Sequence, residues 1–131
     1  MHTTENSQTK LGDWRGTLLR YVRSGQPDLT NRQMALLLVA GQEQGPHTVR
    51  GLAARLGVSK PVVTRALNSL SGLGLVERRR DERDRRSVFV DLTAEGDVFL
   101  EDFAGLIADG TPHGTDARSA IGTVDRTAST A

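Results

Sequence analysis

Apolar positions recur along this chain in short, punctuated runs, and their spacing predicts several helices and a little strand. Leu11, Trp14, Leu18 and Val22 mark one face of a helix that ends near Arg23. Gly25 and Pro27, within "SGQPD", interrupt it. Thr30 then offers an N-cap, and Gln33 three residues later completes a capping box. The helix that follows, to about Gln44, carries "MALLLVA" and is apolar almost all round, which predicts the buried centre of the domain. "GPH" at 45–47 ends it. Val49, Leu52, Ala53 and Leu56 form one stripe of a short helix, and Gly57 suits a left-handed turn after it. Ser59 caps the next helix and Pro61 is tolerated in its first turn. That helix runs to about Leu73, with Gly74 as its stop.

Two extended stretches follow, "LVERR" and "SVFVDL"; the alternation of Val88 and Val90 with Phe89 and Asp91 fits a strand. Thr93 caps a last helix, whose Phe99, Phe103, Leu106 and Ile107 share a face, and "DGTPHG" ends it near Asp109. The expected organisation is a disordered N-terminus over residues 1–10, one folded domain over 11–109, and a disordered Gly/Thr/Ser/Ala-rich tail over 110–131. The fold class is mainly α with a small β-hairpin (α+β).

The two short helices joined by "LGVSK", residues 56–60, have the proportions of a helix-turn-helix. On a wheel at about 100° per residue, Val63, Ala66, Leu67 and Leu70 gather on one side of the second helix. Pro61, Thr64, Arg65 and Asn68 gather on the other, with Lys60 at its N-terminal edge. The apolar side must be buried. The opposite side is slim and rich in donors, which is what a major-groove reader needs. On this reading the Ser59 and Thr64 hydroxyls and the helix N-terminal amides suit phosphate oxygens. The Arg65 fork matches guanine O6 and N7, Lys60 is a point charge for phosphate, and Asn68 suits adenine or a phosphate. An ordinary amphipathic surface helix is the competing reading.

Charge shifts that balance. The net charge is only +1, but residues 47–92 hold ten of the 17 Lys/Arg and five of the 16 Asp/Glu, so this stretch carries +5 and the remainder −4. A basic middle between acidic flanks fits a surface that faces a polyanion. Within it, "RRRDERDRRS" at 78–87 packs six arginines and three acids into ten positions. Alone, such a run is a solvated loop. Placed between two strands directly after a helix-turn-helix, it is the tip of a wing, making the whole a winged helix-turn-helix. Arg83, Arg85 and Arg86 then suit the negative potential of a minor groove. Asp84 is expected to hold Arg86 in one rotamer through a bidentate pair.

"TVRGLAARLGVSKPVVTRALNSLSGLGLVERRRDERDRRSVFVDLTAEG" resembles the MarR family of bacterial transcription regulators, over roughly residues 29–99. The resemblance implies a homodimer on a pseudo-palindromic double-stranded DNA operator, repression, and a small-molecule effector that relieves it. It implies DNA contacts at Ser59, Lys60, Pro61, Thr64, Arg65 and Asn68, and at Asp84 and Arg86 of the wing. The chain departs from the family where a Gly/Thr-rich tail replaces the last dimerising helix. Leu11, Trp14 and Leu18 either meet Phe99, Phe103 and Ile107 across a dimer or close the monomer's own core with them.

Other chemistry is not indicated. The chain has no cysteine, hence no disulfide, thiolate zinc site or thiol sensor. No apolar run approaches a membrane span and the N-terminus lacks a signal peptide's pattern, so a cytoplasmic protein without a membrane partner is expected. His2, His47 and His113 lack metal-ligand spacing, no Ser/His/Asp set stands out, and neither catalysis nor a cofactor is expected. Trp14 and Tyr21 are read as core before ligand pocket. Two further readings share the winged fold: a protein-interaction module, and a sequence-indifferent DNA binder.

Overall fold

A computed structural model describes residues 5–107. Eight elements follow in order: α1 (Glu5–Arg23), α2 (Asn31–Gln42), β1 (His47–Thr48), α3 (Val49–Leu56), α4 (Lys60–Gly72), β2 (Val76–Arg80), β3 (Val88–Leu92) and α5 (Ala94–Ala104). This is a winged helix-turn-helix. The chain forms two compact units, one of residues 24–106 and one containing α1 and Ile107.

α1 begins six residues before the start expected at Leu11, so residues 5–10 are helical. Their polar sequence carries no apolar period, but it lacks Gly and Pro, and Glu5 sits in the first turn, where a carboxylate meets the positive helix end. The rest of the expected N-terminal disorder, residues 1–4, and the expected tail at 110–131 lie outside the described residues. Leu11, Trp14, Leu18, Leu19 and Val22 are exposed, Val22 at 74%. Thr17 and Tyr21 are the buried residues of α1.

In the larger unit, α2 is the centre. Thr30 accepts the Gln33 N–H at 3.1 Å, and Gln33 Oε1 accepts the Thr30 N–H at 2.9 Å, so the capping box is complete. Leu36 and Leu37 are fully buried, and α2 packs against α3, α4, α5 and β3. Burial of each such leucine contributes roughly 1.5–3 kcal/mol. α3 starts on Thr48, whose hydroxyl accepts the Gly51 N–H at 3.0 Å. Gly57 ends it at φ 73° and ψ 32°, the left-handed geometry that glycine adopts without a steric cost.

The sheet is antiparallel in the order β1-β3-β2. β2 and β3 pair from Val76↔Leu92 at the root to Arg80↔Val88 below the tip. β1 adds His47↔Val90 and Thr48↔Phe89, a third strand beyond the expected hairpin. Phe99 and Phe103 of α5 are buried. They are therefore unavailable to a second copy, while Ile107, expected beside them, is half exposed.

A tight junction ties the wing to α5. Gly74 turns the chain at φ 78°. Thr93 Oγ1 donates to the Gly74 carbonyl at 2.6 Å, and the Thr93 N–H to the Leu75 carbonyl at 3.1 Å. The same hydroxyl caps α5 by accepting the Gly96 N–H at 2.9 Å. Gly96 lies so close that a Cβ there would collide with the Leu75 carbonyl oxygen. Among the described residues, no helix is long and apolar enough to cross a membrane.

Candidate nucleic-acid interface

The face assigned to the second helix-turn-helix helix is present on α4. Val63, Ala66, Leu67 and Leu70 are buried, whereas Ser59, Lys60, Pro61, Thr64, Arg65 and Asn68 are all exposed. The cause is local. Ser59 leaves the turn in extended geometry and accepts the Val62 N–H at 3.4 Å, and Pro61 sits in the first turn. The cap uses a Ser59 lone pair and leaves its hydrogen available to donate. Among the described residues, the side chains of Lys60, Arg65 and Asn68 have no hydrogen-bond or ion-pair partner. α4 therefore presents unsatisfied donors held by a fully packed back.

The wing tip spans residues 81–87, and Glu82, Arg83, Asp84, Arg85 and Arg86 are exposed. Its backbone is closed by the Asp81 N–H to the Ser87 carbonyl, 3.0 Å, and the Ser87 N–H to the Asp84 carbonyl, 2.9 Å. Two carboxylates shape the turn between. Asp81 Oδ1 accepts the Arg83 N–H at 2.9 Å, and Asp84 Oδ1 accepts the Arg86 N–H at 3.1 Å. The bidentate Asp84–Arg86 pair expected from the sequence is not the observed geometry. The guanidinium approaches Asp84 through Nε alone, at 3.6 Å. Asp84 Oδ1 is engaged by the Arg86 amide, and Oδ2 accepts the Ser87 hydroxyl at 3.4 Å. The carboxylate thus acts on the backbone before it acts on the guanidinium.

Three charged contacts have no counterpart in the sequence reading. Arg79 Nε donates to Asp91 Oδ2 at 3.2 Å, and its guanidinium lies 4.7 Å from the centroid of the Phe89 ring. Arg80 Nη1 donates to the Arg85 carbonyl at 2.9 Å. Arg55 of α3 grips Glu43, the C-cap of α2, through both nitrogens, with Nε to Oε1 at 2.9 Å. These donated hydrogen bonds hold the Glu43 carboxyl below the usual carboxylate range and raise Arg55. His47 Nε2 also donates to the Glu43 carbonyl, 2.9 Å away, since a carbonyl only accepts. These side chains line an open cleft of about 210 Å³. The Arg79–Asp91 and Arg55–Glu43 pairs each span 12 residues, so no periodicity could reveal them. The strand register does place Arg79 opposite Phe89. Among the described residues, no three His, Asp or Glu side chains gather as metal ligands.

The profile of the MarR family matches residues 28–87, a span that begins just before α2 and ends with the wing tip. Over this segment the chain is similar to the MarR family. The curated relatives include the transcriptional regulator AdcR of Streptococcus pneumoniae, 40% identical over 65 residues, which are 50% of this chain and 43% of AdcR. The transcriptional repressor MprA of Escherichia coli is 35% identical over 69 residues, 53% of this chain and 39% of MprA. The match thus spans less than half the length of either relative. Among solved structures, a mutant of S. aureus MepR superposes with a TM-score of 0.64 over 80% of this chain and 77% of its own. At 22% identity that is a likeness of fold. The matched segment contains every residue of the candidate interface, from Ser59 to Arg86.

Proposed function

We propose that this protein is a sequence-specific DNA-binding transcriptional repressor that works as a homodimer in the cytoplasm. One observation carries the reading: α4 buries four apolar residues and leaves Lys60, Arg65 and Asn68 exposed and unpartnered on the opposite face. In this scheme α4 enters a major groove. Arg65 reads guanine, Asn68 reads adenine or holds a phosphate, and Ser59, Lys60 and Thr64 fix the register on phosphates. Pro61 packs at the entrance. The wing supplies Arg83, Arg85 and Arg86 to the adjacent minor groove, with Asp84 shaping the tip. The MarR-family match and the transcriptional regulators among its relatives support this assignment.

The dimer is supported by α1. Leu11, Trp14, Leu18, Leu19 and Val22 form an exposed apolar row that a second copy would cover. Two copies would bring two α4 helices to half-sites roughly 10 bp apart, or a multiple of that spacing.

Selection of bound duplexes from a random-sequence pool tests these points together. The expected result is one enriched motif with two-fold symmetry, bound with an affinity that falls steeply with salt. A salt-dependent affinity without an enriched motif would make the protein a sequence-indifferent binder. No binding at low salt would leave the winged fold as a protein-interaction module.

A further inference from the structure

If the wing were only a reservoir of charge, all six of its arginines would be equivalent. Their contacts are not equivalent. Arg80 is the last residue of β2, paired across the ladder with Val88. Its guanidinium donates to the carbonyl of Arg85, in the tip, at 2.9 Å. Arg79, one residue earlier, is opposite Phe89, so it leaves the hairpin on the other face, where it is bound to Asp91 and the Phe89 ring. Arg86 is held from one side by Asp84. Among the described residues, the guanidinium groups of Arg78, Arg83 and Arg85 have no partner.

The geometry points to a division of labour: Arg80 is a positioning residue that holds the wing tip in shape by gripping the Arg85 carbonyl, and neither Arg79 nor Arg80 serves as a phosphate contact. The tip's two backbone bonds and two carboxylate-capped amides leave the Arg85 carbonyl to be fixed by something else. A neutral side chain would make a weaker bond there than a charged one. Arg80, the last residue of β2, spans the distance from strand to tip with its full side chain. Because the bond uses the main chain of Arg85, the Arg85 side chain stays free to point outward. The contact lies in solvent, so its effect is on local order rather than on global stability.

This assignment rests on the reading of the wing as a DNA-contacting element, and the test separates the two. The 131-residue chain is compared with its Arg80→Ala, Arg79→Ala, Arg83→Ala and Arg85→Ala variants. One readout, backbone ¹⁵N relaxation of residues 82–87, involves no DNA. The other is fluorescence anisotropy on a labelled duplex recovered from the random-sequence selection, over a range of KCl. For Arg80→Ala, order parameters at the tip should fall below about 0.6. Affinity should weaken about fivefold, the scale of one hydrogen bond, with the salt slope and melting temperature unchanged. Arg83→Ala and Arg85→Ala should leave the tip ordered and lower the slope by about one per wing. Arg79→Ala should leave the slope unchanged. An Arg80→Ala protein with an ordered tip overturns the proposal, as does a slope lowered by about one per wing in either Arg79→Ala or Arg80→Ala. Should the wild-type chain fail to bind any duplex, the DNA reading falls, while relaxation still decides whether Arg80 orders the tip.

Discussion

α4 and the wing tip both present basic side chains, but they are built in opposite ways. The shape of α4 comes from behind: buried Val63, Ala66, Leu67 and Leu70 fix the helix, and its exposed side chains hold nothing up. The wing tip has no packed back. Its shape comes from the polar residues themselves, through Asp81, Asp84 and Arg80. On α4, apart from the Ser59 cap, construction and the proposed recognition therefore belong to different residues. In the wing they belong to the same residue types, and only through-space contacts tell them apart. Two of the three acids among the arginines, Asp81 and Asp84, form the turn.

The contrast is broken most forcefully from behind α4. Leu67 is fully buried, so Leu67→Ala should destabilise the protein by about 2–5 kcal/mol, measured by denaturant unfolding. A loss well under 1 kcal/mol would mean that the helix is not held by its apolar side. Next in size, Arg65→Ala should leave stability unchanged and cost about 1–3 kcal/mol of affinity for the selected site, relaxing preference at one base position. Equal weakening on every duplex would make Arg65 a phosphate contact. In the wing the expected sign is the reverse of the charge argument. Asp84→Ala removes a negative charge yet should weaken binding by roughly 1 kcal/mol, because the Arg86 amide and Ser87 hydroxyl lose their acceptor. Tighter binding would show that the acid merely repels DNA.

The smallest effect concerns Glu43, remote from both regions in sequence. Its carboxyl is lowered in the folded chain by the Arg55 hydrogen bonds. A group lowered on folding contributes its stabilisation above its unfolded-state value and loses it as pH falls through the folded one. Stability should therefore decline slightly more in acid for the wild type than for Glu43→Gln, and a carboxyl NMR titration should place Glu43 below the usual carboxylate range. Identical acid limbs for the two proteins would show that the pair contributes nothing.

What the sequence revealed follows the same division. The α4 faces were legible because a helix imposes its own period, and buried and exposed residues repeat with it. Thr30 with Gln33, Gly57, Ser59 and Thr93 were legible because caps and turns are decided within a few residues. β1 was not, since two residues show no alternation and pair with a strand some 40 positions away. The start of α1 was missed because Glu5–Lys10 is helical without an apolar stripe. The roles of Arg79 and Arg80 were hidden because the six arginines of the wing are indistinguishable as letters. Asp84 was expected to hold the Arg86 guanidinium in a bidentate pair, whereas its shortest bond is to the Arg86 main chain, with a second to the Ser87 hydroxyl.

The Thr93–Gly96 junction carries a mechanical consequence. Two hydrogen bonds and one glycine-sized gap bolt the first turn of α5 to the root of the hairpin. β3 ends at Leu92 and α5 begins at Ala94, so a single residue, Thr93, both closes the hairpin root and caps the helix. Any side chain larger than glycine at position 96 would therefore displace either the hairpin root or the start of the helix.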